Sequence, residues 1–168
     1  EIVAANLIPD GHEVRILDAI RHDWSHKRIL HETLALNPDV VGIQCFSTDV
    51  SDVRILLSRV RQALPRVVTL VGGPHPTSDP EQALKDFGPG LDFGLRGEGE
   101  ESVPALLDRL MDAGRSESLY DGLVKEPLQG LFWQRNGVAH RDGVARIQDV
   151  DSLPMIAWDL LEPEKYPK

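Results

Sequence analysis

The residues best suited to chemistry sit in three short stretches, each just past an apolar run. The first is Gly72-Gly73-Pro74-His75, directly after Val67-Val-Thr-Leu-Val71. Paired glycines adopt dihedrals that other residues avoid, and they leave no Cβ in the way of an approaching group. Pro74 and Pro76 keep the apolar run from continuing. The second is Gln44-Cys-Phe-Ser-Thr48, whose amide and hydroxyls can donate and accept hydrogen bonds to a ligand. The third is Arg96-Gly-Glu-Gly-Glu100, where Gly97 and Gly99 admit close backbone approach and the glutamates suit a helix start. Each stretch also has a plain structural reading: a tight turn at 72–76, and helix capping by Ser47, Thr48 or Asp49. A side chain added at Gly73 is expected to project toward the ligand edge more than into the core.

Several other chemistries fail on spacing. Gly97-Glu-Gly99 superficially matches a dinucleotide G-x-G-x-x-G, but Ser102 takes the third glycine's place and the match falls late in the chain, not in a first βα turn. His75 is read as a polar residue hydrogen-bonded locally, with metal ligation as the other reading. His12, His22, His26, His31 and His140 have no ligand-like spacing. No Ser/His/Asp or paired-carboxylate arrangement can be assembled, so no catalytic residue is assigned.

Composition narrows the classes further. Acidic residues number 27 and basic residues 18, a formal charge of -9, which argues against a nucleic-acid surface. No run approaches the ~18 apolar residues of a membrane span. Cys45 is the sole cysteine, which excludes an internal disulfide framework and a cysteine-built metal cluster within this chain. A reducing cytoplasm is the expected location.

The elements that must position these stretches alternate. Residues 1–8 read as the end of an amphipathic helix capped at Gly11, and residues 13–18 as a strand. A helix follows over 24–36 with Ser25 as cap, then a buried strand over 39–44. Residues 50–64 place Val53, Leu56, Leu57, Val60 and Leu64 on one helical face. After the 67–71 strand, Asp79 caps a helix with Pro80 at its first position. A short strand over 91–95 and a helix over 100–111 complete the pattern. Alternation of this kind specifies a parallel sheet with helices on both faces and right-handed crossovers. Beyond residue 113 the rhythm changes. Residues 114–126 read as a polar loop, 128–134 and 138–147 as a hairpin about Asn136-Gly137, and 149–168 as an extended linker. A helix at the very start, followed at once by a strand, implies a first strand ahead of residue 1.

Several patches recur in order: Gly11-His-Glu-Val14, Pro38-Asp-Val-Val-Gly-Ile43, Val71-Gly-Gly-Pro-His-Pro-Thr77 with Pro80-Glu81, Arg96-Gly-Glu-Gly-Glu100, Gly130-Leu131, and Asp151-Ser-Leu-Pro154 with Trp158-Asp-Leu-Leu161 and Tyr166. Together they resemble the N-terminal cobalamin-binding domain of cobalamin-dependent radical-SAM proteins, of the methyltransferase and anaerobic magnesium-protoporphyrin ester cyclase type. The resemblance implies a doubly wound, Rossmann-like α/β domain over residues 1–115. A hairpin and linker over 116–168 would lead to a radical-SAM barrel in the same parent chain. It implies cobalamin as cofactor and partner, with S-adenosylmethionine and a [4Fe-4S] cluster in the parent protein, and a non-catalytic role for this segment alone. The nucleotide tail would run beside Gly72, Gly73, Pro74 and His75 and along Gln44, Phe46, Ser47 and Thr48. The corrin would lie across Gly97, Glu98 and Gly99. Two other readings stay open on the residues alone: a receiver-type regulatory module, disfavoured because no aspartate ends the strand at Gln44, and a flavin- or sugar-nucleotide-binding unit.

Overall fold

A computed structural model describes residues 2–160. Three parallel strands, β1 (Val40–Gln44), β2 (Val68–Gly72) and β3 (Phe93–Leu95), are extended by an antiparallel hairpin, β4 (Leu131–Arg135) and β5 (Val138–Arg141). The sheet order is β1-β2-β3-β4-β5, a mixed Rossmann-like sheet. Gln44 pairs with Gly72 at the carboxyl end of β1, and Leu70 pairs with Phe93. The helices are α1 (Ile2–Leu7), α2 (His26–Leu36), α3 (Val50–Ala63), α4 (Pro74–Ser78), α5 (Pro80–Phe87), α6 (Ser102–Ala113) and α7 (Glu117–Lys125).

The period-2 alternation of side chains divides the core between the two sheet faces. Val68, Leu70, Phe93, Leu95, Leu131 and Trp133 pack with Leu7 of α1, Leu106 of α6 and Leu119 and Leu123 of α7. Val71 and Phe132 point the other way, onto Val53 and Leu57 of α3 and Leu84 and Phe87 of α5. Helices therefore cover both faces, as the alternation of strand and helix requires. The expected caps form: Ser25 accepts from the Arg28 N–H, and Asp79 accepts from the Gln82 N–H at 2.9 Å. Asn136 and Gly137 both take positive φ, 51° and 78°, the twist that a two-residue hairpin turn needs.

At the amino ends of β2 and β3, Asp92 is a buried hub. Its carboxylate accepts from the Thr69 N–H at 2.9 Å, from Arg115 at 2.5 Å and from Arg61. This clasp pins the end of the sheet opposite to the three candidate stretches.

Several expectations are corrected. Residues 13–17 are extended but pair with no strand, because no described strand lies within reach of their backbone. Residues 114–126 are not a loop: they hold α7, whose Leu119 and Leu123 are buried one turn apart while its polar residues face out. The segment 74–78 is a helical turn, α4, since Pro74 at its first position has no N–H to lose and a preset φ. The expected hairpin forms as β4 and β5 and continues the sheet through the β3–β4 pairing. Residues 161–168, including the Leu161 and Tyr166 of the expected linker, lie outside the described residues.

Candidate functional site

The three stretches meet at the carboxyl edge of the parallel strands, where ligands sit in open α/β sheets. Register puts the ends of β1 and β2 side by side, and backbone bonds then stitch their loops together. The Cys45 N–H donates to Gly72 O at 2.8 Å, and the His75 N–H donates to Cys45 O at 3.1 Å. Thr77 at the end of α4 carries the stitching on to the β3 loop. Its hydroxyl accepts from the Gly97 N–H at 3.0 Å, and its carbonyl accepts from Arg96 Nε at 3.0 Å. The β3 loop is fastened in turn to residues 145–147: Ala145 N–H donates to Arg96 O, Glu98 N–H to Ala145 O, and Ile147 N–H to the Glu98 carboxylate at 2.7 Å.

Gly73 has φ 102° and ψ −171°, a conformation nearly restricted to glycine. An added Cβ there would meet Cys45 O at 3.0 Å and Cys45 N at 3.1 Å. Contrary to the expectation from sequence, position 73 faces the neighbouring strand's backbone and not the open edge. Gly72 differs: its nearest neighbour for a Cβ is Leu95 Cβ at 3.8 Å. Gly42, two residues before Gln44 and on the same sheet face, has nothing within 4 Å of its Cβ position. Gly42 and Gly72 thus leave two positions without a side chain, beside Leu70 and Gln44, on the face shared with α1 and α6, a shallow cradle at the strand ends.

The polar groups around this cradle differ in availability. Gln44, Ser47 and Thr48 are exposed, and Phe46 is 47% exposed despite its size. Asp49 stands at the cap position of α3, yet its carboxylate turns back to the Thr48 hydroxyl at 2.8 Å and the Phe46 N–H at 3.4 Å. Capping therefore does not account for Ser47 or Thr48. Pro74 is exposed, while Gly97, Glu98 and Gly99 wall the edge with their backbone largely committed to Thr77 and Ala145. Glu100 Oε2 is buried with no hydrogen-bond partner, an acceptor waiting for a donor.

His75 turns away from the edge. Its Nε2 lies 3.0 Å from Asp86 Oδ2, whose other oxygen accepts from Gln82 Nε2 at 2.9 Å, and its ring stands edge-on to Phe87. A hydrogen bond is present as expected from sequence, but His75 stands on a helix, not a loop, and its partner lies 11 residues on, not in the local chain. Burial, and behind it the carboxylates of Asp49 and Asp86, push the Cys45 thiol up to about 11. Cys45 is fully buried and stays a protonated, unreactive thiol. Among the described residues no group of three or more His, Cys, Asp or Glu side chains is placed to hold a metal. Sequence reasoning missed Thr77, Asp86 and residues 145–147. Thr77 lies inside a patch already singled out, but the other two act across 11 residues and 47 residues of chain, distances no local pattern reports.

Comparison with known proteins bears on the family and the fold. The family model for the B12 binding domain matches residues 1–107. An uncharacterized methyltransferase of Pyrococcus horikoshii is 29% identical over 96% of this chain and 33% of its own length. An anaerobic magnesium-protoporphyrin IX monomethyl ester cyclase of Rubrivivax gelatinosus is 28% identical over 92% of this chain and 27% of its own. The apo structure of OxsB, a cobalamin-dependent S-adenosylmethionine radical enzyme, superposes with a TM-score of 0.71 at 15% identity, covering 96% of this chain and 22% of that one. The chain spans about a third or less of the curated relatives it matches. No described helix is long and apolar enough to cross a membrane. The receiver and flavin readings give way, and the chain belongs to the B12-binding domain family.

Proposed function

We propose that this chain holds cobalamin along the carboxyl edge of β1, β2 and β3 and orients it toward a radical-SAM barrel carried by the same parent polypeptide. The observation that carries the reading is the pair of side-chain-free positions, Gly42 and Gly72, beside exposed Gln44 at the strand ends, walled by the stitched loops. Gln44, Ser47 and Thr48 would hold the polar groups of the nucleotide tail. Phe46, Gly72, Gly73, Pro74 and His75 would shape the path beside it, with Gly73 and His75 acting through the backbone. Gly97, Glu98 and Gly99 would support the corrin. The unpartnered Glu100 Oε2 suits an amide N–H, which the corrin's side arms supply. The chemistry supplied by bound cobalamin is methyl transfer or related radical chemistry, and the protein contributes binding and orientation. In the parent, S-adenosylmethionine and a [4Fe-4S] cluster would belong to the barrel, in the cytoplasm.

The test is a titration with hydroxocobalamin followed in the visible spectrum and by equilibrium dialysis. Saturable, one-to-one binding that weakens at least tenfold in Gln44→Ala/Thr48→Ala is expected. Absence of binding by a folded chain, or affinity indifferent to those substitutions, overturns this placement.

A further inference from the structure

We infer, resting on the cobalamin placement proposed above, that Glu98 is a positioning residue. It latches residues 145–147 to the β3 loop, so that holding cobalamin and holding that segment are one coupled event. Residues 142–147 leave β5 and pass back beside the β3 loop, where Gly97 and Ala145 form a parallel bridge. The bridge consists of two main-chain bonds, Ala145 N–H to Arg96 O at 2.9 Å and Glu98 N–H to Ala145 O at 3.2 Å. Its seat has no room for further side chains. A Cβ at Gly97, φ 88°, would fall on Ala145 O, and one at Gly130, φ 76°, would lie 2.7 Å from Ala145 Cβ. Ala145 is buried in that slot. The next bond comes from a side chain: the Glu98 carboxylate accepts the Ile147 N–H at 2.7 Å, across 49 residues of chain. Were the parallel ladder to continue, the Glu98 carbonyl would take that N–H. The carboxylate takes it instead, although Glu98 is exposed and free to face water.

The coupling follows from what holds the loop. It carries Gly97 and Gly99, and a glycine-rich loop left alone has much conformational freedom to lose when it holds a ligand. Here it is fixed from two sides. The Thr77 hydroxyl of α4 accepts the Gly97 N–H, and residues 145–147 hold Glu98 by main chain and side chain. Releasing Ile147 returns freedom to the loop, and a ligand resting on it must then order it, which lowers affinity. Linkage makes the effect reciprocal: the factor that the latch adds to cobalamin affinity is the factor that bound cobalamin adds to closure of the latch. The segment runs on through Val150, Met155 and Trp158, all exposed, so a contact made there acts on the ligand edge through Glu98.

The test pairs hydroxocobalamin titration with amide hydrogen exchange at Ile147, both on the full-length protein. Without ligand, Glu98→Ala should speed exchange at Ile147 at least about fivefold, and Glu98→Gln, which keeps an acceptor, should recover most of that loss. Glu98→Ala should also weaken cobalamin binding about fivefold or more, and saturating cobalamin should slow Ile147 exchange in the unsubstituted protein by the same factor. Ile147→Pro removes the donor. It should match Glu98→Ala, and the double variant should bind no more weakly than either single one. Ile147 exchange unmoved by Glu98→Ala would overturn the latch before any ligand is added. Full cobalamin affinity in Glu98→Ala would overturn the coupling and leave the cobalamin placement intact. Additive losses in the double variant would overturn it as well, by making Glu98 a direct contact. A folded, unsubstituted protein that binds no cobalamin brings down the placement and the coupling together, while the ligand-free exchange still reads the latch by itself.

Discussion

Replacing Gly73 by alanine is the sharpest test of how the edge is built. Gly73 sits at φ 102° and ψ −171°, where an L side chain costs roughly 1–3 kcal/mol. The new methyl also falls 3.0 Å from Cys45 O, 3.1 Å from Cys45 N and 3.1 Å from Gln44 Cγ. Two of these neighbours are backbone, held by the 2.8 Å bond from the Cys45 N–H to Gly72 O, so they yield only at the expense of the sheet. Overpacking of this kind adds about 1–3 kcal/mol. A central value of about 4 kcal/mol for the two together lowers Tm by roughly 8–16 °C in a protein of this size. Gly72→Ala is the control, because its methyl makes only an ordinary 3.8 Å contact with Leu95; a shift within about 2 °C is expected there. Parallel thermal melts by circular dichroism, with urea titrations as a check, read both. A Gly73→Ala chain melting within about 2 °C of the parent would refute the argument that backbone packing selects glycine at 73. Equal losses at 72 and 73 would mean that the strand end, and not the Cys45 contact, is the sensitive feature.

Three further outcomes follow from the geometry. Asp92→Ala strands Arg61 and Arg115 beside a carboxylate position that is only 7% exposed, and should cost about 3–5 kcal/mol by urea denaturation; Arg115→Ala, which removes the more exposed partner, should cost clearly less. Because burial raises the Cys45 thiol from 9.0 to about 11, the native state holds its proton more tightly than the unfolded chain. That contribution is intact below about pH 9 and is lost as pH rises through about 11, so urea midpoints should fall over that window in the parent and stay flatter in Cys45→Ala. His75 is occupied by Asp86, so the cobalt(II) electron paramagnetic resonance spectrum of the cobalamin-loaded protein should be unchanged in His75→Ala; nitrogen splitting that disappears in the variant would make His75 a ligand.

Local chemistry written into the chain determined much of this protein. Ser25, Asp79 and Pro80 start their helices, Asn136-Gly137 turns the hairpin, and the apolar run over 67–71 becomes a strand buried on both faces. These are effects of a few neighbouring residues, so they are legible in order along the sequence. The alternation of strands and helices likewise specified a layered α/β fold, and the glycine-rich strand ends marked the edge where a ligand would lie. Tertiary structure decided the rest. Residues 13–17 have strand composition but no ladder, because a strand exists only when a second backbone satisfies it. Residues 117–125 look polar in a row but fold as α7, because burial of Leu119 and Leu123 against the sheet outweighs their short length. Gly73 was readable as a glycine-requiring position, but not its reason, the backbone of Cys45 lying 28 residues away in sequence. The tie from Asp86 to His75 and the bridge from Ala145 to Gly97 join residues that only chain topology brings together, and they determine which groups at the edge remain for a ligand.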